Sequence, residues 1–297
     1  MDKEELKKLN ESILELSPRF SEIKQQLHKS IVGQNHLLES LTMALLCNGH
    51  VLLEGVPGLA KTLSIKTLSE TIDADFKRVQ FTPDLLPGDL IGTTIYDPKS
   101  NDFLIKKGPI FTNLLLADEI NRAPAKVQAA LLESMQERQV TIGQETYFLS
   151  DVFLVLATQN PIDQEGTYAL PEAQLDRFMF KIKVSYPSKA EELSILNMFD
   201  NSIPSINKVM DIDTVIKTRN IIKNIYTDER IKKYIIDLVF ATRNPNDYNL
   251  GINDLIEYGA SPRASLYLLH CSKAYAFLQQ REYVIPEDVK AIANNIL

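Results

Sequence analysis

Lys61 and Thr62 follow a short segment with two glycines and stand at the start of a helical pattern. The apolar run His50–Leu53 before this segment predicts a buried strand. Backbone N–H groups of such a loop and the positive end of the helix attract phosphate, and a lysine there reaches the outer phosphates. The threonine hydroxyl can bind Mg²⁺. The candidate phosphate-binding residues are Gly55, Val56, Pro57, Gly58, Leu59, Ala60, Lys61, Thr62 and Leu63.

Ala60 stands where the general phosphate-loop pattern has its second glycine. Alanine is small enough to keep the loop tight, so the departure from the pattern is mild. The alternative interpretation is an ordinary strand-to-helix turn with a chance similarity to the end of the pattern. A pair of acidic residues farther along the chain makes that alternative much less favoured.

Asp118 and Glu119 are this pair, and they follow the segment Phe111–Ala117, which ends in four apolar residues. The segment predicts a strand that is buried on both faces and delivers two carboxylates at its C-terminal end. Asp118 would hold Mg²⁺ largely through water, and Glu119 could orient and polarise the attacking water. With the phosphate loop, the pair predicts hydrolysis of ATP by a positioned water molecule, with Mg²⁺ balancing the developing charge.

Other polar and apolar residues are candidates that depend on this context. Asn160 ends a strand predicted over 151–157, where it could hydrogen-bond the γ-phosphate or the attacking water; alone it would be a turn residue before Pro161. Arg263 lies in the first turn of a predicted helix, where a cation opposes the dipole, so an anionic partner or a nearby acid is expected. Ile31 and Val32 could pack on an adenine ring or be plain core residues.

Composition places the chain among globular proteins of about two domains. It has 297 residues, 44% hydrophobic and 24% charged, without an apolar run long enough to span a membrane. The polar start argues against a secretory signal, and two isolated cysteines predict buried thiols in a reducing cytoplasm. Of the net charge of −7, residues 1–186 carry −6 and residues 187–297 carry −1. This balance does not favour general nucleic-acid binding.

Turn and cap signals predict the remaining organisation. Two hairpins are expected, at 93–105 and 139–149, and a boundary between two domains, 1–186 and 187–297, is expected at Tyr186–Pro187. The first helix, residues 2–29, is predicted to break near Ser17–Pro18. The second domain is predicted to be helical throughout, with a capping box at Ser188 and Glu191 and with Thr227 and Ser261 as N-caps.

Taken together, these residues resemble the AAA+ ATPases, and within them the MoxR family. The resemblance covers the chain from about Ile31 to Leu297, and Ala60 is typical of this family. The most specific strings are Glu54-Gly-Val-Pro-Gly-Leu-Ala-Lys-Thr62, Leu116-Ala-Asp-Glu-Ile-Asn-Arg-Ala-Pro124, Ala157-Thr-Gln-Asn-Pro161 and Ala173-Gln-Leu-Asp-Arg-Phe178. The resemblance implies an α/β core with a five-stranded parallel sheet in a three-layer α/β/α arrangement, a small all-α lid and a ring, usually of six subunits.

The resemblance also implies roles for particular residues. Asn160 resembles the polar sensor of the γ-phosphate, Arg177 the finger that reaches a neighbour's site, and Arg263 the sensor arginine of the lid. Gln80 lies near the position where a polar residue restrains the catalytic glutamate. The two hairpins match elements that project towards the ring pore in related proteins.

Three uses of the hydrolysis are expected from the resemblance. The leading one is a chaperone-like remodeller that matures or activates other proteins, usually with a partner that carries a von Willebrand factor A domain. A nucleic-acid motor is the second, but the hairpin tips 97–102 and 143–145 are not basic, which argues against stable nucleic-acid binding. The ATPase subunit of a metal chelatase is the third.

Overall fold

The computed structural model describes residues 3–55, 60–99, 101–160, 167–200 and 205–297. Contacts divide the chain into two compact units. We call Ile23–Asp213 the sheet unit, and Met1–Glu22 together with Thr214–Leu297 the helical unit. Among the described residues, no helix combines the length and the apolar character needed to cross a membrane.

The sheet unit is built on five parallel strands. They are β1 (Val51–Glu54), β2 (Phe76–Gln80), β5 (Leu114–Asp118), β8 (Leu154–Gln159) and β9 (Phe180–Lys183). Their order across the sheet is β2-β5-β8-β1-β9. Val51–Leu53 and Leu114–Ala117 are fully buried, as expected for strands covered on both faces. The five-stranded parallel sheet that the sequence resemblance implies is confirmed.

The register of the strands brings polar residues to one edge of the sheet. Gln80 pairs with Asp118 between β2 and β5, and Glu54 pairs with Gln159 between β1 and β8. Because parallel strands end at the same edge, the residues that follow β1, β5 and β8 are neighbours in space. Besides the end of the first helix, this unit contains the α-helices α2 (Asn35–Cys47), α3 (Lys61–Thr71), α4 (Pro87–Ile91), α5 (Ala125–Glu137), α6 (Glu172–Leu175) and α7 (Lys189–Asp200).

The first helix is continuous, in contrast to the sequence prediction. α1 runs from Lys3 to Ser30 through Pro18, so the expected break near Ser17–Pro18 is wrong. Pro18 is exposed, and so is Leu14, whose carbonyl loses its helical donor, so this turn of the helix faces solvent. The opposite face is buried through Ile13, Leu16 and Phe20. Packing of this face therefore outweighs the loss of one hydrogen bond.

Two hairpins are inserted in the sheet unit, as predicted. The first pairs β3 (Gly92–Asp97) with β4 (Asp102–Lys107), and the second pairs β6 (Gln139–Ile142) with β7 (Glu145–Phe148). In the second hairpin Val140 and Ile142 are buried in the core. The first hairpin is exposed on both faces along almost its whole length.

The helical unit contains the first part of α1 and the helices of the C-terminal region. These are α8 (Ile212–Lys223), α9 (Glu229–Arg243), α10 (Pro262–Leu278) and α11 (Pro286–Ile296), with α8 beginning just before the unit boundary. α10 contacts α9 and α11, and the rings of Phe20 and Phe277 meet edge to face at 5.7 Å. The helical C-terminal region is thereby confirmed, whereas the domain boundary between residues 186 and 187 stays a prediction.

The N-caps differ in part from expectation. Ser261 caps α10, because its hydroxyl accepts the N–H of Arg263 at 3.1 Å, and Ser188 and Glu191 form the predicted capping box. The sequence predicts Thr227 as the cap of α9, but Asp228 caps it by accepting the N–H of Arg230 at 2.8 Å. A carboxylate next to the positive end of the helix is the more favourable cap.

Candidate nucleotide-binding site

The start of α3 forms one wall of the site. Lys61 is the first residue of the helix, and Ala60 before it has the left-handed conformation, with φ 56°. Lys61 Nζ donates to the carbonyl of Gly55 at 2.6 Å, which places the ammonium at the end of β1. Burial lowers the pKa of Lys61, and the carboxylates of Asp118 and Glu119 oppose this shift. Val56, Pro57, Gly58 and Leu59 lie outside the described residues.

A cavity of about 400 Å³ opens at this edge of the sheet. It brings together predicted residues from the phosphate loop, the acidic strand end and the end of β8 with residues from β2. The described residues that line it are Gly55, Ala60, Lys61, Thr62, Leu63, Arg78, Gln80, Asp118, Glu119, Thr158 and Asn160.

Asp118 accepts hydrogen bonds at both carboxylate oxygens. Thr158 Oγ1 donates to Oδ1 at 2.6 Å, and Arg78 donates to Oδ2 from Nη2 at 2.6 Å and from Nε at 3.2 Å. Thr158 is 1% exposed, which makes its hydroxyl a rigid support. The carboxylate is therefore fixed in orientation and charge-balanced within the sheet edge.

Glu119 is held by backbone and side-chain contacts. It has the left-handed conformation with φ 57°, and its N–H donates to Thr158 Oγ1 at 2.8 Å. Its Oε2 accepts from Gln80 Nε2 at 2.7 Å and forms an ion pair with Arg122 Nη1 at 3.1 Å. The polar residue that the resemblance places near the glutamate, Gln80, is thus in direct contact with it.

The donor set fits a magnesium ion. Thr62 and Asp118 line the same cavity, and a hydroxyl and a carboxylate are the hard oxygen ligands that Mg²⁺ prefers. The ion commonly keeps several waters and binds through one or two protein ligands plus phosphate oxygens. Thr62 and Asp118 are the residues that would hold it.

The other predicted residues lie in different surroundings. Asn160 lines the cavity directly after β8. Arg177 follows α6, is not among the described residues that line the cavity, and has a buried Nε for which the described residues offer no hydrogen-bond acceptor. Ile31 is 2% exposed in the core of the sheet unit, beside half-buried Val32, and neither is among the described residues that line the cavity.

Arg263 lies in the helical unit, in the first turn of α10. Its side chain is half-buried, and its backbone N–H is satisfied by Ser261. Its expected role towards a nucleotide stays a prediction.

Sequence reasoning missed three residues of the site, namely Arg78, Arg122 and Thr158. Arg78 and Gln80 are alternate residues of the edge strand β2, so they share one face. This spacing indicates that both side chains can reach the end of the neighbouring strand, but only if that strand is the one that ends in Asp118. Thr158 gave no comparable signal, because a hydroxyl in a buried strand is also an ordinary core residue.

Two family models match the chain. The model described as the ATPase family associated with various cellular activities (AAA) matches residues 50–180, and the model described as the AAA lid domain matches residues 251–297. The first range contains the described cavity-lining residues, and the second contains α10 and α11.

Similar proteins cover nearly the whole chain. Chaperone MoxR1 of Mycobacterium tuberculosis is 47% identical over 92% of this chain and 72% of its own length. Protein MoxR of Paracoccus denitrificans is 30% identical over 96% and 88%. A crystal structure from Cytophaga hutchinsonii, described as a "putative ATPase", is 51% identical with a TM-score of 0.92, over 99% of this chain and 90% of that one.

Proposed function

The chain belongs to the MoxR family of AAA+ ATPases, and we propose that it uses Mg²⁺-dependent ATP hydrolysis to remodel partner proteins within a ring of subunits. The observation that carries the nucleotide chemistry is the meeting of Lys61, Thr62, Asp118 and Glu119 in one cavity. One cation, one hydroxyl and two carboxylates at the edge of a parallel sheet match what phosphoryl transfer to water requires.

Each residue has a separate task in this proposal. Lys61 leaves the carbonyl of Gly55 to bind the outer phosphates, and the N–H groups at the start of α3 add to this binding. Thr62 and Asp118 hold Mg²⁺, which supplies positive charge to the phosphate oxygens when bound. Glu119 orients and polarises the attacking water, and Asn160 hydrogen-bonds the γ-phosphate or that water. The adenine contact of Ile31 and Val32 stays a prediction, because neither is among the described residues that line the cavity.

The first hairpin supports a partner that is a protein. Four large apolar side chains on β3 and β4 are exposed by 45–66%: Ile95, Tyr96, Phe103 and Leu104. A two-stranded ribbon exposed on both faces is marginally stable in water, and an exposed apolar surface of this kind favours protein contact. Asp97, Lys99 and Asp102 give the tip of the same hairpin a net charge of −1, which does not attract a phosphate backbone, although Lys106 and Lys107 lie nearby. We propose that the remodelling takes place in the cytoplasm and that the partner carries a von Willebrand factor A domain.

A capture experiment tests the remodelling role. Glu119→Gln removes the negative charge that polarises water but keeps the size of the side chain, so it should hold ATP and retain bound clients. We expect mass spectrometry to recover specific proteins with this variant in the presence of ATP and Mg²⁺. Lys61→Ala is the matched control, because it should not bind nucleotide. Equal recovery with both variants, or recovery of nucleic acid alone, would contradict the proposal.

A further inference from the structure

Arg78 contacts two different parts of the site at once. Its Nη2 donates to Asp118 Oδ2 at 2.6 Å and to Gln80 Oε1 at 3.0 Å. This is possible because Arg78 and Gln80 lie on the same face of β2, and Gln80 pairs with Asp118 on the neighbouring strand. One guanidinium therefore joins the candidate metal ligand to the amide that holds Glu119.

The contact with Arg78 anchors the side-chain amide of Gln80. A guanidinium can only donate hydrogen bonds, so the amide must turn its oxygen towards Arg78. The amide nitrogen is then directed at Glu119 Oε2, to which it donates at 2.7 Å. The carboxylate of Glu119 only accepts hydrogen bonds, so both contacts favour this orientation, and Arg78 anchors the amide that holds Glu119.

Arg78 also occupies the carboxylate that a metal ion needs. Asp118 Oδ2 accepts two donors from Arg78, and Oδ1 accepts from Thr158. A guanidinium and a divalent cation on one carboxylate repel each other. The side chain of Arg78 is 50% exposed, so it can leave Asp118 for solvent without opening the core.

We propose that Arg78 is a positioning residue that couples metal binding at Asp118 to the release of Glu119. While it is paired with Asp118, it balances the charge of that carboxylate and anchors the Gln80 amide that donates to Glu119. On binding of metal and nucleotide, Arg78 leaves Asp118 and no longer anchors the Gln80 amide. The contact of Gln80 with Glu119 weakens, so that Glu119 can turn towards water; of its two side-chain contacts described above, the ion pair with Arg122 then remains. This inference rests on the proposed roles of Asp118 and Glu119.

The concentration of Mg²⁺ needed for nucleotide binding tests the coupling without measuring turnover. A fluorescent, non-hydrolysable ATP analogue is held at fixed concentration, and Mg²⁺ is titrated to half-saturation. Arg78→Met removes the competing cation, so the half-saturating Mg²⁺ concentration should fall by about 2- to 5-fold, as expected for a half-exposed ion pair. Arg78→Lys keeps a cation beside Asp118 and should stay near the native requirement.

Lys77→Met is the matched control. It makes the same charge change on the adjacent residue of β2, but the Lys77 ammonium donates to the carbonyl of Phe111 at 3.1 Å. We expect its Mg²⁺ requirement to be native. An unchanged requirement in Arg78→Met, or the same change in both variants, would overturn the coupling. A loss of nucleotide affinity in EDTA that is confined to Arg78→Met would also overturn it, because Arg78 would then bind phosphate directly.

Asp118→Asn separates this inference from the proposed function. If that variant binds nucleotide with a native Mg²⁺ requirement, the metal role of Asp118 fails, and the coupling fails with it. If Asp118→Asn raises the requirement while Arg78→Met has no effect, only the coupling is wrong. Melting curves of the nucleotide-free variants show whether each is folded.

A double-mutant cycle tests the second contact of Arg78. If Arg78 acts on Glu119 through Gln80, then adding Arg78→Met to Gln80→Ala should not change turnover at saturating Mg²⁺ beyond the effect of Gln80→Ala alone. Independent, additive effects on turnover would overturn the link from Arg78 to Gln80.

Discussion

At the residue scale, Lys61 and Glu119 have separable tasks in the proposed mechanism. Lys61→Ala should abolish nucleotide binding, because it removes the cation for the outer phosphates at the start of α3. Glu119→Gln should bind ATP nearly as the native protein does, while turnover falls by at least about 10²-fold, as for the loss of a general base. Equilibrium binding and release of inorganic phosphate measure the two effects. Turnover of Glu119→Gln near the native rate would contradict the water-positioning role.

Ala60 shows how one backbone angle explains a departure from a motif. Its φ of 56° lies in the left-handed region, which glycine adopts freely and alanine adopts at a cost of about 1 kcal/mol. The general pattern has glycine at this position for that reason. Alanine remains compatible with the turn because its side chain is a single methyl group.

At the element scale, α1 makes a prediction about stability. Pro18→Ala restores the N–H that Pro18 lacks, so the free energy of unfolding should rise by up to about 3 kcal/mol. Chemical denaturation monitored by circular dichroism measures the change. Glu22→Ala, an exposed substitution on the same helix, is the control and should be near neutral. A loss of stability in Pro18→Ala would mean that the proline ring itself contributes packing.

Both hairpins are pairs of antiparallel strands, but the second is partly buried and the first is exposed. β6 places Val140 and Ile142 in the core, so the register of the second hairpin is determined by burial. In the first hairpin the cross-strand pair of Tyr96 and Phe103, with ring centroids 5.5 Å apart, supplies part of the stability that a core would otherwise provide. An element with this much exposed apolar surface is best explained by contact with another protein.

At the scale of the whole molecule, the ring proposal predicts that each site is completed by a neighbour through Arg177. The described residues that line the cavity do not include Arg177, and Lys61 already supplies a cation there. Arg177→Ala should therefore fold and bind ATP, while turnover falls by about 10³- to 10⁵-fold, as for other arginine fingers. Phosphate release and nucleotide binding, measured on the same preparation, check this.

Mixed rings give the sharper test of this arrangement. A subunit with Arg177→Ala keeps an intact nucleotide-binding cavity, and a neighbouring subunit with Lys61→Ala keeps Arg177. Two inactive proteins should therefore recover partial activity when their subunits exchange. If mixed rings form and no activity returns, Arg177 does not act in trans. Its role would then be structural and confined to its own subunit.

The sequence alone determined the fold class and the main chemical groups. The resemblance of the motifs to a known family implied the fold class. The apolar segments before Gly55 and Asp118 predicted two buried strands, because a short apolar segment bounded by turn residues is typical of a strand covered on both faces. The loop, the Lys61–Thr62 pair and the Asp118–Glu119 pair then indicated where phosphate and metal would bind. These signals are local: each lies within a few residues of the chain.

Only the tertiary structure decided which groups from different strands meet. Arg78 reaches Asp118 across 40 positions of the chain, and Thr158 reaches it across another 40, through the strand order β2-β5-β8. Pro18 likewise stays within α1 because of burial on the opposite face of the helix. Strand order, register and burial arise from packing between distant segments, so local pattern and propensity cannot determine them.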